Sequence, residues 1–415
     1  MVVQIKTVLI VGFNTRPLAY SLKNSGYKVY AVDFFGDLDL YPNVQDSLVL
    51  IKELATNYNS IKERYSTLLS KYTIKMLEKY PEIDYLIIGS GLDDAYKERD
   101  EILHEVKNKK YRILNLNNNI ETIKRARNIE SIFKYLESCN IFVPFTFSYN
   151  KLELYINTLK FPCIFKKSRS AGGLNVFKIE NIEELSNIVK KLQLKSFNPL
   201  EWIIQEYLDG IPISCTTLSN GRECEVISIN QQIIGEQLLN APKEFMYCGN
   251  IVPANLPEKD EKLISKISKL LSVQLGLKGI NGFDYILRHH HPYLMEINPR
   301  IPGSIRASET CIGLSLIDLH IKSFVEKKWN KVKNQVKSSK FNGFSTKFIF
   351  FAPKEISKTE LTKINNLEFI HDKSEPIKSI LKGEPVCTIL VNAKEKSESY
   401  NNALNIVSKI NKIIE

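Results

Sequence analysis

Asn281-Gly282-Phe283-Asp284-Tyr285-Ile286-Leu287, a short turn, then Tyr293-Leu294-Met295-Glu296-Ile297-Asn298-Pro299-Arg300 is the stretch on which the fold turns. Its alternation predicts a β-hairpin. Side chains two apart in a strand share a face, so Glu296 and Asn298 point the same way and Asp284 can meet them from the partner strand. Two carboxylates and an amide form a hard oxygen set suited to Mg2+ bridged to phosphates, because that ion keeps near-octahedral coordination and takes few protein ligands. The acids sit inside apolar runs, where a solvated role is costly. Arg300, just past the strand, supplies a planar cation for a transferring phosphoryl or acyl phosphate group. The turn itself reads Arg288-His289-His290-His291. Three adjacent histidines on a hairpin tip cannot all face one ion, so no histidine metal site is expected there.

Upstream, Phe161-Pro162-Cys163-Ile164-Phe165-Lys166 is a strand ending in lysine, followed by the loop Ser170-Ala171-Gly172-Gly173-Leu174-Asn175-Val176. An ammonium beside a loop with exposed backbone N–H groups suits a polyphosphate. Trp202-Ile203-Ile204-Gln205-Glu206-Tyr207-Leu208-Asp209-Gly210 runs apolar, then acidic, then aromatic into a glycine turn. Such an extended segment offers main-chain donors and acceptors to a planar base sandwiched by apolar side chains.

The N-terminal third has another grammar. Thr7 to Gly12, a helical stretch to Asn24 and Lys28 to Asp33 read as strand, helix, strand. Tyr85 to Ile88 is a further buried strand, and Asn43 to Lys79 has helical periodicity, as in a doubly wound parallel sheet. Ligands of such sheets bind beyond the strand C-termini, which places Gly12, Asn14, Arg16, Asp33, Ser90 and Asp93 around one crevice. No G-x-G-x-x-G pattern follows the first strand, which argues against a dinucleotide. Ile120 to Ser138 reads as one helix before a new α+β module, with helices at Ile182 to Leu192 and Lys259 to Leu275. After a Lys-rich helix or linker near Lys327 to Lys340, strands at Phe344 to Phe351 and Val386 to Val391 and a helix from Tyr400 suggest a small closing domain.

Composition bounds the rest. The chain has 415 residues, 43% apolar and 25% charged, enough for two to four modules with ordinary cores. Its apolar runs are too short to span a bilayer. A net charge of +11 is spread as scattered lysines instead of an Arg-rich block, which argues against nucleic acid and favours small anions. Seven cysteines show no C-x-x-C spacing, and Lys6-Thr7 leads straight into a strand without the order of a signal peptide, so a cytosolic protein with reduced thiols is expected.

In this order, the Lys-glycine loop, the hinge and the hairpin resemble the ATP-grasp superfamily, from about Ile120 to Ile321. Val11-Gly12-Phe13-Asn14-Thr15-Arg16-Pro17, Ala31-Val32-Asp33-Phe34-Phe35-Gly36-Asp37 and Lys382-Gly383-Glu384-Pro385-Val386-Cys387-Thr388 look like an archaeal group of predicted ATP-dependent carboligases related to biotin carboxylase. The resemblance implies a Rossmann-like pre-ATP-grasp domain over 1–119, a two-subdomain nucleotide-binding and catalytic module over 120–335 and a small C-terminal α+β domain over 336–415. It implies ATP held by Lys166, Gly172, Gly173 and the hinge Gln205, Glu206, Tyr207, Leu208 and Asp209. Mg2+, with Mn2+ as an alternative, would be held by Asp284, Glu296 and Asn298, and the acyl phosphate stabilised by Arg300. Asn14, Arg16 and Ser90 are candidate substrate residues.

The implied reaction moves the γ-phosphate to a carboxylate, after which an amine attacks the mixed anhydride. Addition of an amino acid in archaeal coenzyme synthesis is one setting, by analogy. A homodimer is allowed. Two departures stand out. Where family members carry an Asp-Lys pair this chain has Asn128-Ile129, so the lysine's role is vacant or passes to Arg125 or Arg127. Pro212 stands where an acidic ribose ligand is frequent, with Asp209 the nearest substitute. Tyr247-Cys248-Gly249-Asn250 matches a stretch near the nucleotide in relatives without an assigned role. Two other readings stay open: a non-catalytic nucleotide-binding regulator of the same fold, and a bicarbonate-activating enzyme, which would need a separate carrier because no Ala-Met-Lys-Met segment is present.

Overall fold

The computed structural model describes residues 5–415 apart from 55–60, 62–63, 109–112, 170–171, 174, 195–196 and 378. Strands β1 (Thr7–Gly12), β2 (Lys28–Asp33), β3 (Asp46–Val49), β4 (Tyr85–Ile88) and β5 (Leu114–Asn115) form a parallel sheet in the order β3-β2-β1-β4-β5. Alternate residues of β1 enter different cores: Val8 and Ile10 on one face, Leu9 and Val11 on the other. Both faces are therefore covered, as parallel sheets require. Helices Tyr65–Lys79 and Tyr96–Asn108 cover the second face through Leu69, Met76 and Ile102. The first is covered by helix Arg16–Asn24, and its core continues into Ile312, Ile317 and Leu319 from much later in the chain. The N-terminal sheet is thus bonded by a shared apolar core to the central module.

β6 (Thr146–Ser148), β7 (Cys163–Lys167), β8 (Val176–Ile179) and β9 (Trp202–Glu206) make an antiparallel sheet ordered β6-β9-β7-β8. Helix Ile182–Gln193 covers it with Leu185 and Val189 against Phe165 and Trp202, and Asn181 caps that helix by accepting from the Glu184 N–H. The third sheet has eight strands: β10 (Ile211–Asn220), β11 (Cys224–Ile234), β12 (Tyr247–Val252), β13 (Lys278–Arg288), β14 (His291–Asn298), β15 (Phe344–Phe351), β16 (Ile370–His371) and β17 (Pro385–Ala393). Their order is β14-β13-β10-β11-β12-β15-β17-β16. Strands of the C-terminal segment therefore extend the sheet that carries the hairpin, through β12 against β15. Helix Glu258–Leu275 packs Ile264, Ile267 and Leu271 on its central strands, and helix Lys396–Ile414 covers the C-terminal ones.

Two sequence expectations are corrected. Within the segment read as helical from Asn43, Asp46–Val49 is a strand, because four residues are too few to display a period of two; Leu50–Glu53 and Tyr65–Lys79 are helical, and 55–60 and 62–63 lie outside the described residues. The single helix expected from Ile120 to Ser138 is two, Ile120–Ala126 and Ile129–Ser138. The break falls at Asn128, whose side chain accepts from Ser131 N–H and caps the second helix. Helices Ile305–Ile312 and Leu316–Ser323, not read from the sequence, follow the hairpin.

Candidate functional site

A cleft of about 590 Å3 opens between the four-stranded sheet and the hairpin end of the eight-stranded sheet, closed on a third side by the N-terminal domain. The segment from Tyr207 to Gly210 joins β9 to β10 at its back. Gly210 must be glycine in place, since a Cβ there would lie 2.6 Å from the Leu287 carbonyl oxygen.

The hairpin forms in the expected register. Asp284 pairs with Glu296 and Gly282 with Asn298; the register then shifts, leaving Met295 without a partner on β13. Such a bulge re-aims side chains next to a site. Asp284, Met295, Glu296 and Asn298 all line the cleft. Asn298 Nδ2 donates to Asp284 Oδ2 at 2.9 Å, and Gln232 Nε2 donates to Asp284 Oδ1 at 3.1 Å. Burial, with the Glu296 carboxylate opposite, pushes the Asp284 pKa up to about 7. A divalent cation would relieve that crowding, so the pair fits such an ion chemically. Among the described residues no group of three or more His, Cys, Asp or Glu is arranged to hold a metal, so a cation here relies on two carboxylates plus the amide oxygen of Asn298.

Across the cleft, Lys166 follows the buried residues Cys163, Ile164 and Phe165 near the end of β7. Its ammonium is pushed down to about 8, first by burial, with Arg127 acting in the same sense and Glu296 against both. Gly172 and Gly173 line the cleft beside it, while Ser170, Ala171 and Leu174 fall outside the described residues. At Gly173, with φ of +78°, a Cβ would overlap the Phe245 carbonyl oxygen, so only glycine lets the loop close on the opposite wall. In the hinge, Gln205, Glu206, Tyr207 and Leu208 line the cleft, whereas Asp209 is exposed and outside it. The Gln205 side chain is engaged by Thr146, to whose hydroxyl it donates at 2.9 Å. Ile164, Ile203, Ile234 and Ile286 supply apolar walls nearby.

The two candidate substitutes for the missing lysine separate cleanly. Arg125 donates to the Leu275 carbonyl at 2.9 Å and does not line the cleft. Arg127 lines it, gripping Asp94 with Nη2 at 2.9 Å and Nε at 3.2 Å while Nη1 donates to Glu296. Arg300 also lines the cleft, and its Nε donates to Asp93. Burial alone would raise the Asp93 carboxyl, but Arg300, Arg127 and Arg99 outweigh it and hold it below the usual range. Adjacent acids of the N-terminal domain thus anchor both arginines, a partnership across 33 and 207 residues that no local pattern signals.

Of the candidate substrate residues, Asn14 and Ser90 line the cleft and Arg16 does not. Arg16 is buried, with its Nε between Asp372 and Asp39. Asp33 is likewise internal, accepting from Thr15 N–H at 2.7 Å, the Thr15 hydroxyl at 2.8 Å and Gly36 N–H at 2.6 Å. Both shape the loops around the crevice. The histidine turn splays: His289 and His290 form a two-residue turn with φ of +49° and +63°, His290 meets Asp260 at 2.9 Å, and His291 packs on Phe142. Lys347, Gln232 and Asn250, unassigned from sequence, line the cleft as well.

Residues 130–304 match the ATP-grasp domain family. This segment is an ATP-grasp domain. The whole chain shares its fold with ATP-grasp structures: biotin carboxylase of Campylobacter jejuni, solved with a β,γ-ATP ligand, superposes with a TM-score of 0.72 at 14% identity, covering 98% of this chain and 95% of that one. By sequence, an uncharacterised protein of Methanocaldococcus jannaschii is 28% identical over 95% of this chain and 90% of its own length. A D-alanine–D-alanine ligase of Leptospira interrogans is 27% identical over 42% of this chain and 52% of its own length, so the likeness to that ligase spans about half of it. The ATP-grasp domain contains Lys166, the hinge and the Asp284–Arg300 hairpin, and the anchoring aspartates Asp93 and Asp94 lie outside it.

Proposed function

We propose that the protein is an ATP-dependent carboxylate–amine ligase working through an acyl phosphate. The observation that carries this reading is the pairing of Asp284 with Glu296 beside Asn298, facing Lys166 across one cleft with Arg300 anchored at its edge. ATP lies between the two sheets, its base against the hinge main chain at Glu206 to Leu208 and its phosphates under Lys166, Gly172 and Gly173. Arg127, held by Asp94, takes the place of the family lysine. Asp284, Glu296 and Asn298 would hold Mg2+, which would supply positive charge against the triphosphate. The residues do the rest by positioning: Lys166 and Arg127 fix the phosphates, Arg300 stabilises the acyl phosphate oxygens, and Asn14 and Ser90 meet the substrate from the N-terminal domain. The γ-phosphate passes to the substrate carboxylate; the amine then attacks the acyl carbon and phosphate leaves. No protein nucleophile is required.

The modules of this reading are residues 1–119, 120–335 and 336–415. The cytosol is the proposed compartment, supported by seven cysteines that are all free, six of them buried; no helix among the described residues is long and apolar enough to cross a membrane. The test is ADP release from Mg-ATP with pooled carboxylates and amines. Turnover that needs both pools supports the ligase; nucleotide binding without turnover in any pool contradicts it.

A further inference from the structure

Among the described residues five cationic side chains line the cleft, and three are neutralised by carboxylates: Arg127 by Asp94 and Glu296, Lys167 by Glu201 at 2.9 Å, and Arg300 by Asp93. Lys166 and Lys347 have no carboxylate within ion-pair distance among the described residues. They belong to different sheets, Lys166 to β7 and Lys347 to β15. The first is accounted for by the triphosphate. The second is not used by anything described above.

Lys347 is 9% exposed, and its ammonium donates to the Gly303 carbonyl at 2.9 Å, leaving two N–H donors. A fully charged ammonium in such a place is costly without an anion. Burial lowers its pKa; nearby Asp372 opposes this, but that carboxylate is already held by Arg16. A line of polar residues links it to the metal pair: Asp284 pairs with Ser214, Ser214 with Asn230, Gln232 with Asn250, and Asn250 with Lys347. Gly303, Ser304 and Ile305 line the same end of the cleft. They lead into helix Ile305–Ile312, whose Ser304 side chain makes no capping bond; the Ile305 N–H goes to the Pro302 carbonyl at 3.2 Å, and the helix dipole adds to the positive potential. Among the described residues the carboxylates lining the cleft are Glu206, Asp284 and Glu296, so this end carries positive charge and no described acid to hold a substrate ammonium.

We infer that Lys347 and the N-terminal turn of helix Ile305–Ile312 form a second anion subsite, and that the substrate carries a carboxylate or phosphate in addition to the carboxylate being activated. This rests on the ligase reading, because it assigns Lys166 to ATP and the reacting carboxylate to the Arg300 side. A monocarboxylate leaves Lys347 without a counter-charge, whereas a dicarboxylate or phosphorylated acid fills both positions.

The test uses the full chain. Binding of the non-hydrolysable analogue AMP-PNP with Mg2+ is measured first, by calorimetry. Succinate, inorganic phosphate and propionate are then titrated into the nucleotide complex of the wild type, Lys347→Met and Lys347→Arg. Succinate or phosphate is expected to bind wild type and Lys347→Arg more tightly than Lys347→Met by roughly 30-fold or more, as for loss of one partner of a buried charged contact. Propionate is expected to bind weakly and equally to all three. Preference for succinate over phosphate would identify the anion as carboxylate, and the reverse as phosphate. Equal affinities in wild type and Lys347→Met, or no binding of either dianion to wild type, would overturn the subsite. Circular dichroism and the AMP-PNP affinity of Lys347→Met are expected to match wild type, which separates loss of the anion from loss of the fold. Failure of AMP-PNP to bind would instead sink the ATP reading; the same titrations on the nucleotide-free protein then decide the Lys347 site alone.

Discussion

The lowered pKa of Lys166 makes nucleotide affinity depend on pH in a calculable way. In the free protein the ammonium titrates at about 8, against an ordinary 10.5, chiefly through burial. A triphosphate beside it favours the charged form and returns the pKa toward its ordinary value. The complex then holds a proton that the free protein loses as pH rises past 8, so binding weakens with rising pH. The charged fraction of the free site falls from ~90% at pH 7 to ~10% at pH 9, a tenfold loss of affinity or ~1.4 kcal/mol. At pH 8.5 binding should take up about three-quarters of a proton. Calorimetry with AMP-PNP and Mg2+ from pH 7 to 9, repeated in buffers of different ionisation enthalpy, reads both quantities. Lys166→Arg stays charged throughout and reports the nucleotide's own titration for subtraction. A wild-type affinity flat with pH, or a slope shared by Lys166→Arg, would refute the assignment of Lys166 to the phosphates.

Three further outcomes follow from the same geometry. Glu296→Ala should lower metal-dependent ADP release by roughly 10^2- to 10^3-fold, while circular dichroism stays native because Arg127 keeps Asp94; normal turnover would remove the metal assignment. Asp93→Asn frees Arg300 without touching the nucleotide, so kcat should fall ~10- to 100-fold with little change in the KM for ATP, and an equal rise in KM would point to a general loss of structure. His320 accepts from the Ile280 N–H at Nδ1 at 2.9 Å and meets the Leu116 carbonyl with Nε2 at 2.9 Å; burial pushes its pKa down to about 4 against the opposing pull of that carbonyl, so the ring is held neutral. The unfolded chain takes up a proton below pH 6.5 and the folded one does not, so stability is full above that value and falls by about 3 kcal/mol by pH 4. Urea titrations of wild type and His320→Gln should show that slope only in the wild type.

The hairpin was legible because two acids and an amide interrupt an apolar alternation, and a period of two then dictates which side chains converge. The same argument could not see the bulge at Met295, which depends on pairing between strands. Local pattern also missed what Asn128 does. By resemblance it stands at the position of a phosphate-binding pair, yet in this fold it caps a helix, and Arg127 beside it reaches the cleft. Arg16 illustrates the opposite error: a cation beyond a strand C-terminus suits a substrate anion, but Asp372, from a loop 356 residues later, takes it up. Lys347 gave no signal because its meaning is the lack of a carboxylate partner among the described residues, visible once the strands of the C-terminal segment join the sheet of the hairpin.

Anomalous diffraction from crystals grown with AMP-PNP and Mn2+ tests the central claim most directly. A manganese peak within about 2.5 Å of both an Asp284 and a Glu296 oxygen, sharing a phosphate oxygen with Lys166, is the predicted result. Nucleotide bound in the cleft with the metal remote from those carboxylates would contradict it.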